Sequence, residues 1–161
     1  MPDADLRVRP ATRADLPALG RLGAHLMRVH YEFDRRRFVA PGANTEPGYA
    51  HFLGTQLDAD DGTVLVAERG GTVVGYVYAG IEPFSWKELR EAAGFVHDIV
   101  VDAAERRTGV AGALMDAAIA WVRGQGVASV MLWTAAPNEG AQRLFERRGF
   151  RRTMIEMTLN L

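Results

Sequence analysis

The stretch "ERRTGVAGALM", residues 105–115, sets two arginines ahead of a run so small that the backbone from Thr108 to Gly112 is nearly bare. Before it, "HDIVV" (97–101) reads as a strand. After it, Val110, Leu114, Ala117, Ala118 and Trp121 form a helical stripe with Asp116 and Arg123 opposite, ended by Gly124 and Gly126. A strand–turn–helix junction of this kind turns backbone N–H groups outward at a helix N-terminus, where unpaired donors and the helix dipole favour an anion such as a pyrophosphate. Side chains larger than Ala111 or Gly112 would keep a ligand off that backbone, and Arg106 and Arg107 add charge-assisted contacts. No Gly-Lys-Ser/Thr follows, and the pattern is not Gly-x-Gly-x-x-Gly after a first strand. Gly109 and Gly112 read equally well as room for close helix–strand packing, and the turn alone does not decide between the two.

Outward from the turn, the chain alternates strand and helix signals. "LRVRP" suits a short strand; Thr12 and Asp15 have capping-box spacing; Leu16, Leu19, Leu22, Leu26 and Val29 recur at helical period, predicting a helix to about Tyr31 with Pro17 in its first turn. A loop and a short helix ending near Leu57 follow. "TVLVAE" and "TVVGYVYAGI" flank a Gly-rich hairpin connection, "EPFSWKELREAAG" interrupts, and "FVHDIVV" is a third β-rich run. "SVMLWTA" predicts another strand, Pro137 and Asn138 start a helix that closes at Gly149, and "RRTMIEMTLNL" predicts a last strand. The order β-α-α-β-β-β-α-β-α-β, without repeats or linkers, predicts one domain over 1–161.

Composition narrows the chemistry. A length of 161 residues suits a single core, and a formal net charge of −1 supplies no global basic field for nucleic acid. The chain has no cysteine, which removes disulfides, thiolate metal sites and a cysteine nucleophile. The N-terminal stretch lacks a signal-peptide core, and no run approaches ~18 apolar residues, so a soluble cytoplasmic protein is expected, without membrane or nucleic-acid partners. His25, His30 and His51 lie at no metal-ligand spacing, and no metal is expected. Arg35 to Arg37 reads as a solvated loop, or as a contact for an anionic group.

Two phrases carry a family resemblance. Arg106, Gly109 and Ala111 match Gln/Arg-x-x-Gly-x-Gly/Ala, preceded by Val101 and Asp102; Asn138, Ala141, Phe145, Gly149 and Phe150 match Asn-x-x-Ala, an aromatic four residues on, and a terminal Gly-Phe. In this order the chain resembles the GNAT superfamily of N-acetyltransferases over nearly its whole length. The resemblance implies an α/β (α+β) fold, a mixed and mostly antiparallel central sheet flanked by helices. It also implies acetyl-CoA as cosubstrate. Arg106, Arg107, Thr108, Gly109, Val110, Ala111 and Gly112 would hold the pyrophosphate, and the backbone of Ile99, Val100 and Val101 would take the pantetheine arm as an added strand does. Asn138 and Ala141 would line the other side, with Phe145 at the family's aromatic position. Asn138 also reads as a helix N-cap. The partners implied are an amine acceptor, small molecule or peptide, with room for a homodimer.

"VHDIVV" resembles the family pattern x-Glu-Asp-x-x-Val, where the Glu is a proposed base acting through water; His97 takes that place here. An alkylamine with a pKa of ~10.4 costs about 4 to 5 kcal/mol to hold neutral at pH 7, so a base is needed, and histidine suits that task near neutrality. The alternative is a partly buried His97 bonded to a carbonyl. Period two places His97 with Phe95, Ile99 and Val101, and Asp98 on the opposite face with Val96 and Val100. Asp98 is expected to satisfy backbone or pair with an arginine. Many family members carry a tyrosine acid where Phe145 stands. Losing it is survivable, because a thiol of pKa ~8.5 leaves as thiolate at pH 7 for about 2 kcal/mol. If Gly149 is C′, Phe145 and Phe150 make the apolar contact of a Schellman motif. Tyr31, Tyr76 and Tyr78 are substitute acids, the last two also core residues. Glu82, Glu88 and Glu91 hint at a cationic acceptor. A module that holds acetyl-CoA without turnover, or a nucleotide-binding structural domain, fits the same turn.

Overall fold

The computed structural model describes residues 5–161; residues 1–4, part of the N-terminal stretch read above for a signal segment, lie outside the described residues. Its elements are β1 (Leu6–Pro10), α1 (Leu16–Phe33), α2 (Thr45–Gln56), β2 (Gly62–Arg69), β3 (Thr72–Glu82), β4 (Ala93–Val101), α3 (Val110–Gly124), β5 (Val130–Leu132) and α4 (Glu139–Arg147), with single 3-10 turns before α1 and after β4. The strands form one 5-stranded sheet in sequence order, antiparallel throughout except that β5 runs parallel to β4.

Both faces of the sheet are covered, which explains why β2 to β4 read as nearly continuous apolar runs. Leu65, Ala67, Val77 and Val96 pack with Val110, Leu114, Met115 and Ala118 of α3 and Phe145 of α4. Val64, Val66, Tyr76 and Val100 pack on the other face with Leu19 and Leu22 of α1 and Leu53 of α2. The predicted capping box forms: Thr12 N–H donates to Asp15 Oδ2 at 2.8 Å. Arg9 Nη1 donates to the same carboxylate at 2.8 Å and Arg9 Nη2 reaches Glu68 at 2.7 Å, tying β1 and β2 to the start of α1.

Gly94 shows how tight the α3 face is. A Cβ there would lie 2.3 Å from Cγ1 and 2.7 Å from Cγ2 of Val122, whose side chain is itself buried. Gly94→Ala is therefore expected to cost about 1–3 kcal/mol of stability by overpacking, read as a fall in the urea midpoint at constant m-value.

The expected last strand does not form. Residues 151–161 enter no strand and are exposed. Arg152 is bound to Glu146 at 3.0 Å and to Gln142 at 2.9 Å along α4. Arg37 pairs with Glu156, and Asn160 Nδ2 donates to Arg36 O at 3.0 Å. These contacts hold the segment beside the loop after α1, and it pairs with none of the sheet's strands.

Candidate active site

The turn that follows β4 is built for exposed backbone. Asp102 closes β4 and its carboxylate accepts from Ala104 N–H; Arg107 (φ 62°) and Gly109 (φ 86°) then take left-handed conformations before α3 begins at Val110. The first helical backbone bond is Ala113 N–H to Gly109 O, at 3.0 Å, and no N–H from Arg107 through Gly112 donates to a backbone carbonyl among the described residues. Thr108 Oγ1 donates to Glu105 O at 2.6 Å, bracing the turn.

The two small-residue readings divide between the two glycines. Nothing lies within 4 Å of an ideal Cβ on Gly109, so that position is open and demands glycine through its φ. A Cβ on Gly112 would meet Arg148 Nη2 at 2.4 Å. Gly112 makes room for that guanidinium, which binds Asp116 at 2.8 Å and ties the end of α4 to α3.

Strand β4 carries the second feature. Its register against β3 shifts, with Tyr78 opposite Asp98 but Ala79 opposite Val96, so His97 is the extra residue of a β-bulge. The bulge corrects the expectation that His97 and Asp98 point to opposite faces, because one unpaired residue breaks the period of two. His97 lies 4.9 Å from the Tyr78 ring and 5.8 Å from Phe95, while Asp98 accepts from Tyr76 Oη at 3.0 Å, all on the α1/α2 face. Ile99 and Val101 turn to the α3 face and Val100 to the α1 face. Strand β5 pairs with β4 only from Gly94 to Val96. Past Val96 the strands part, leaving the edge from His97 to Val101 without a partner strand among the described residues.

His97 sits at the head of that gap, its side chain 31% exposed and Nε2 3.2 Å from Glu82 Oε1. A row of rings runs from Phe52 through Tyr78, His97 and Phe95 to Trp133, with neighbouring centroids 4.9–6.2 Å apart. Glu88 is occupied by Arg90, whose guanidinium lies over Phe95 at 4.8 Å. Of the three acids read as hints of a cationic acceptor, Glu82 is the one at His97.

Asp98 pairs with neither backbone nor arginine, contrary to expectation. Burial holds its carboxyl above the usual carboxylate range, opposed first by the Tyr76 hydrogen bond; burial likewise raises the Tyr49 and Tyr76 phenols beside it. A carboxyl raised on folding binds more protons in the folded than in the unfolded state, so its contribution to stability falls as pH rises from 3.8 through the raised value. The stability of the wild type minus that of Asp98→Asn should therefore fall with pH over that window and then level off. Urea unfolding across the acid range reads this directly, and a difference that rises with pH contradicts it.

The tyrosines proposed as acids are engaged or distant. Tyr76 is buried on Asp98, Tyr78 Oη donates to Gln56 Oε1 at 3.1 Å, and Tyr31 lies under Arg35. Phe145 is 6% exposed and 6.0 Å from Phe150; Phe150 N–H donates to Phe145 O and Gly149 N–H to Glu146 O, the two bonds of a Schellman motif. Asn138 caps α4 by accepting from Ala141 N–H at 3.2 Å.

Sequence reasoning missed one set of residues. Arg21, His25 and Arg28 of α1 line a shallow cavity of about 160 Å³ with Asp102 and Ala103, beside the turn. Burial first, then Arg28 and Arg106, lower the His25 imidazole's pKa. The spacing i, i+4, i+7 was the available signal. No cluster of three or more metal-ligating side chains occurs among the described residues, and none of their helices is long and apolar enough to cross a membrane.

The mostly antiparallel sheet thus opens between β4 and β5 beside the bare N-terminus of α3. Residues 26–150 match the model of the acetyltransferase (GNAT) family, and the chain belongs to that family. It is 34% identical over 105 residues to a mycothiol acetyltransferase of Thermobispora bispora, covering 61% of this chain and 33% of that protein. It is 35% identical over 94 residues to an uncharacterized N-acetyltransferase of Methanocaldococcus jannaschii, covering 58% of this chain and 41% of that one. The chain thus spans well under half the length of these curated relatives. An aminoglycoside N-acetyltransferase in complex with CoA shares the fold at a TM-score of 0.76 and 18% identity, covering 100% of this chain and 98% of the other. A predicted acetyltransferase of Clostridium acetobutylicum with acetyl-CoA does so at 0.73 and 13%, covering 96% of each.

Proposed function

We propose that residues 1–161 act as a single cytoplasmic domain that transfers an acetyl group from acetyl-CoA to a primary amine by direct attack in a ternary complex. The observation that carries this reading is the unpaired run of N–H groups from Arg107 to Gly112, opening beside the strand edge left free by β5. Those N–H groups hold the pyrophosphate, with the cations of Arg106, Arg107, Arg21 and Arg28 around it. The free β4 edge from Ile99 to Val101 binds the pantetheine amides as an added strand, and an N–H there polarises the thioester carbonyl. Asn138, Ala141 and Phe145 close the other side through the cap and packing of α4.

Acetyl-CoA supplies the activated acyl group. His97 takes the ammonium proton, directly or through one water, and Glu82 at 3.2 Å holds the resulting imidazolium. The freed nitrogen bonds to the carbonyl carbon, the C–S bond breaks as the thiolate leaves at a cost of about 2 kcal/mol at pH 7, and the nitrogen's second proton passes to that sulfur or to water, leaving a neutral amide and the free thiol. Without cysteine, no acyl-thioester enzyme intermediate is available. The aromatic row and Glu82 favour a cationic acceptor with an apolar face.

Thiol release from acetyl-CoA with a panel of amines tests this reading, and mycothiol-type and aminoglycoside acceptors, for which relatives are named, belong in the panel. Intersecting initial-rate patterns are expected; parallel patterns overturn direct attack. The buried Phe145, with no hydroxyl, favours a second reading, a module that binds acetyl-CoA without turnover. Turnover with any amine rules that out.

A further inference from the structure

Helix α1 presents a histidine between two arginines to the cavity beside the turn. Arg21, His25 and Arg28 follow at i, i+4 and i+7, so they share a face, and they line that cavity of about 160 Å³ with Leu22, Asp102 and Ala103. The charged groups that face the His25 ring are Arg28 and Glu32 of its own helix, Arg106 of the turn and Asp102 at the end of β4. Asp102 is already bonded to Arg21, at 3.3 Å, and it is the one acid of the cavity wall among the described residues. Positive charge is therefore in excess around the ring. That company holds His25 neutral. Arg28 Nη1 lies 3.5 Å from His25 Nδ1, and a guanidinium can only donate, so Nδ1 presents its lone pair and the ring's single proton sits on Nε2. Burial, then the charges of Arg28 and Arg106, act in the same direction.

We propose that His25 is a proton-gated contact for the donor's phosphates, neutral in the free chain and charged in the complex by one proton taken from solvent at Nδ1. This rests on the reading that the turn from Arg107 to Gly112 holds acetyl-CoA. An incoming pyrophosphate offsets the guanidinium charge that keeps the ring neutral and supplies an anion for the imidazolium to bind. Protonation at Nδ1 also ends the contact with Arg28, because both groups then only donate, and frees that guanidinium to turn to the phosphates. The proton returns to solvent when the donor leaves, and no covalent bond forms or breaks. The linkage has one sign. Because the donor prefers the charged ring, the affinity that His25 contributes grows as pH falls through the ring's pKa in the complex, and it levels off below the ring's pKa in the free chain.

Isothermal titration of the full chain with acetyl-CoA, in buffers of different ionisation enthalpy, counts the protons taken up on binding. Wild type should take up more than His25→Gln, whose amide still donates an N–H but cannot titrate. Comparing the two chains cancels the ligand's own phosphate titration, which is common to both. His25→Gln should bind about 10-fold more weakly near pH 6 and within about twofold of wild type near pH 8. Should the variant misfold, the wild type decides alone: the ¹⁵N shifts of the His25 imidazole should pass from one protonated nitrogen to two as acetyl-CoA saturates the chain. Equal proton uptake in the two chains, a Kd ratio that does not grow toward acid, or a ring that keeps a single proton at saturation would each overturn the gate and leave the donor reading standing. Absence of saturable acetyl-CoA binding would overturn both.

Discussion

His97→Ala is expected to lower kcat with an amine acceptor by on the order of 10²-fold or more while acetyl-CoA affinity stays within about twofold. The side chain lies on the bulge at the point where β4 and β5 part, not on the turn proposed to hold the donor. Removing it therefore separates chemistry from binding. Its ring is partly exposed and its ion-pair partner is the exposed Glu82, so the fold loses little and the melting temperature should move by only a few degrees. A pH–rate profile adds a readout that a packing role does not move: one limb of the wild-type profile should vanish in the variant. Unchanged turnover would rule out the base.

Gly109→Val should raise the Kd for acetyl-CoA by at least ~10-fold with a smaller loss of stability. A non-glycine residue at φ 86° costs about 1–2 kcal/mol, and more for a β-branched one, so the turn relaxes away from this conformation. Relaxation redirects the N–H groups that open at α3. Because nothing lies within 4 Å of the new Cβ, the side chain causes no clash within the chain and projects into the space the phosphates would occupy. Gly112→Ala is the informative contrast, since its Cβ displaces Arg148 and should act on the α3–α4 junction first. Isothermal titration of both variants separates the two roles, and equal affinities would contradict them.

What could be read from the sequence was what is local. The phase of α3, the cap at Asn138 and the Schellman contact of Phe145 with Phe150 each depend on residues a few positions apart, and the structure places them as the spacing implied. The bulge at His97 could not be read, because it exists only as a mismatch in register between two strands. The Glu82 contact to His97 was hidden for the same reason. Asp98 misled differently: a buried carboxyl can be satisfied by tyrosine hydroxyls from β3 and α2 as well as by an arginine, and only packing chooses. The last strand was legible as a pattern of side chains, but a strand is completed by an edge, and the segment reaches none in its own chain. The cations of α1 were legible as a helical row whose target was not.

The central claim is that bare backbone between β4 and α3 holds the donor. Titrating ¹⁵N-labelled protein with acetyl-CoA tests it most directly. The account predicts saturable shifts concentrated in the amides of Arg107 to Gly112, with those of Ile99 to Val101 moving at the same ligand ratio. Saturable binding that leaves Arg107 to Gly112 unmoved, or no saturable binding at all, would contradict it.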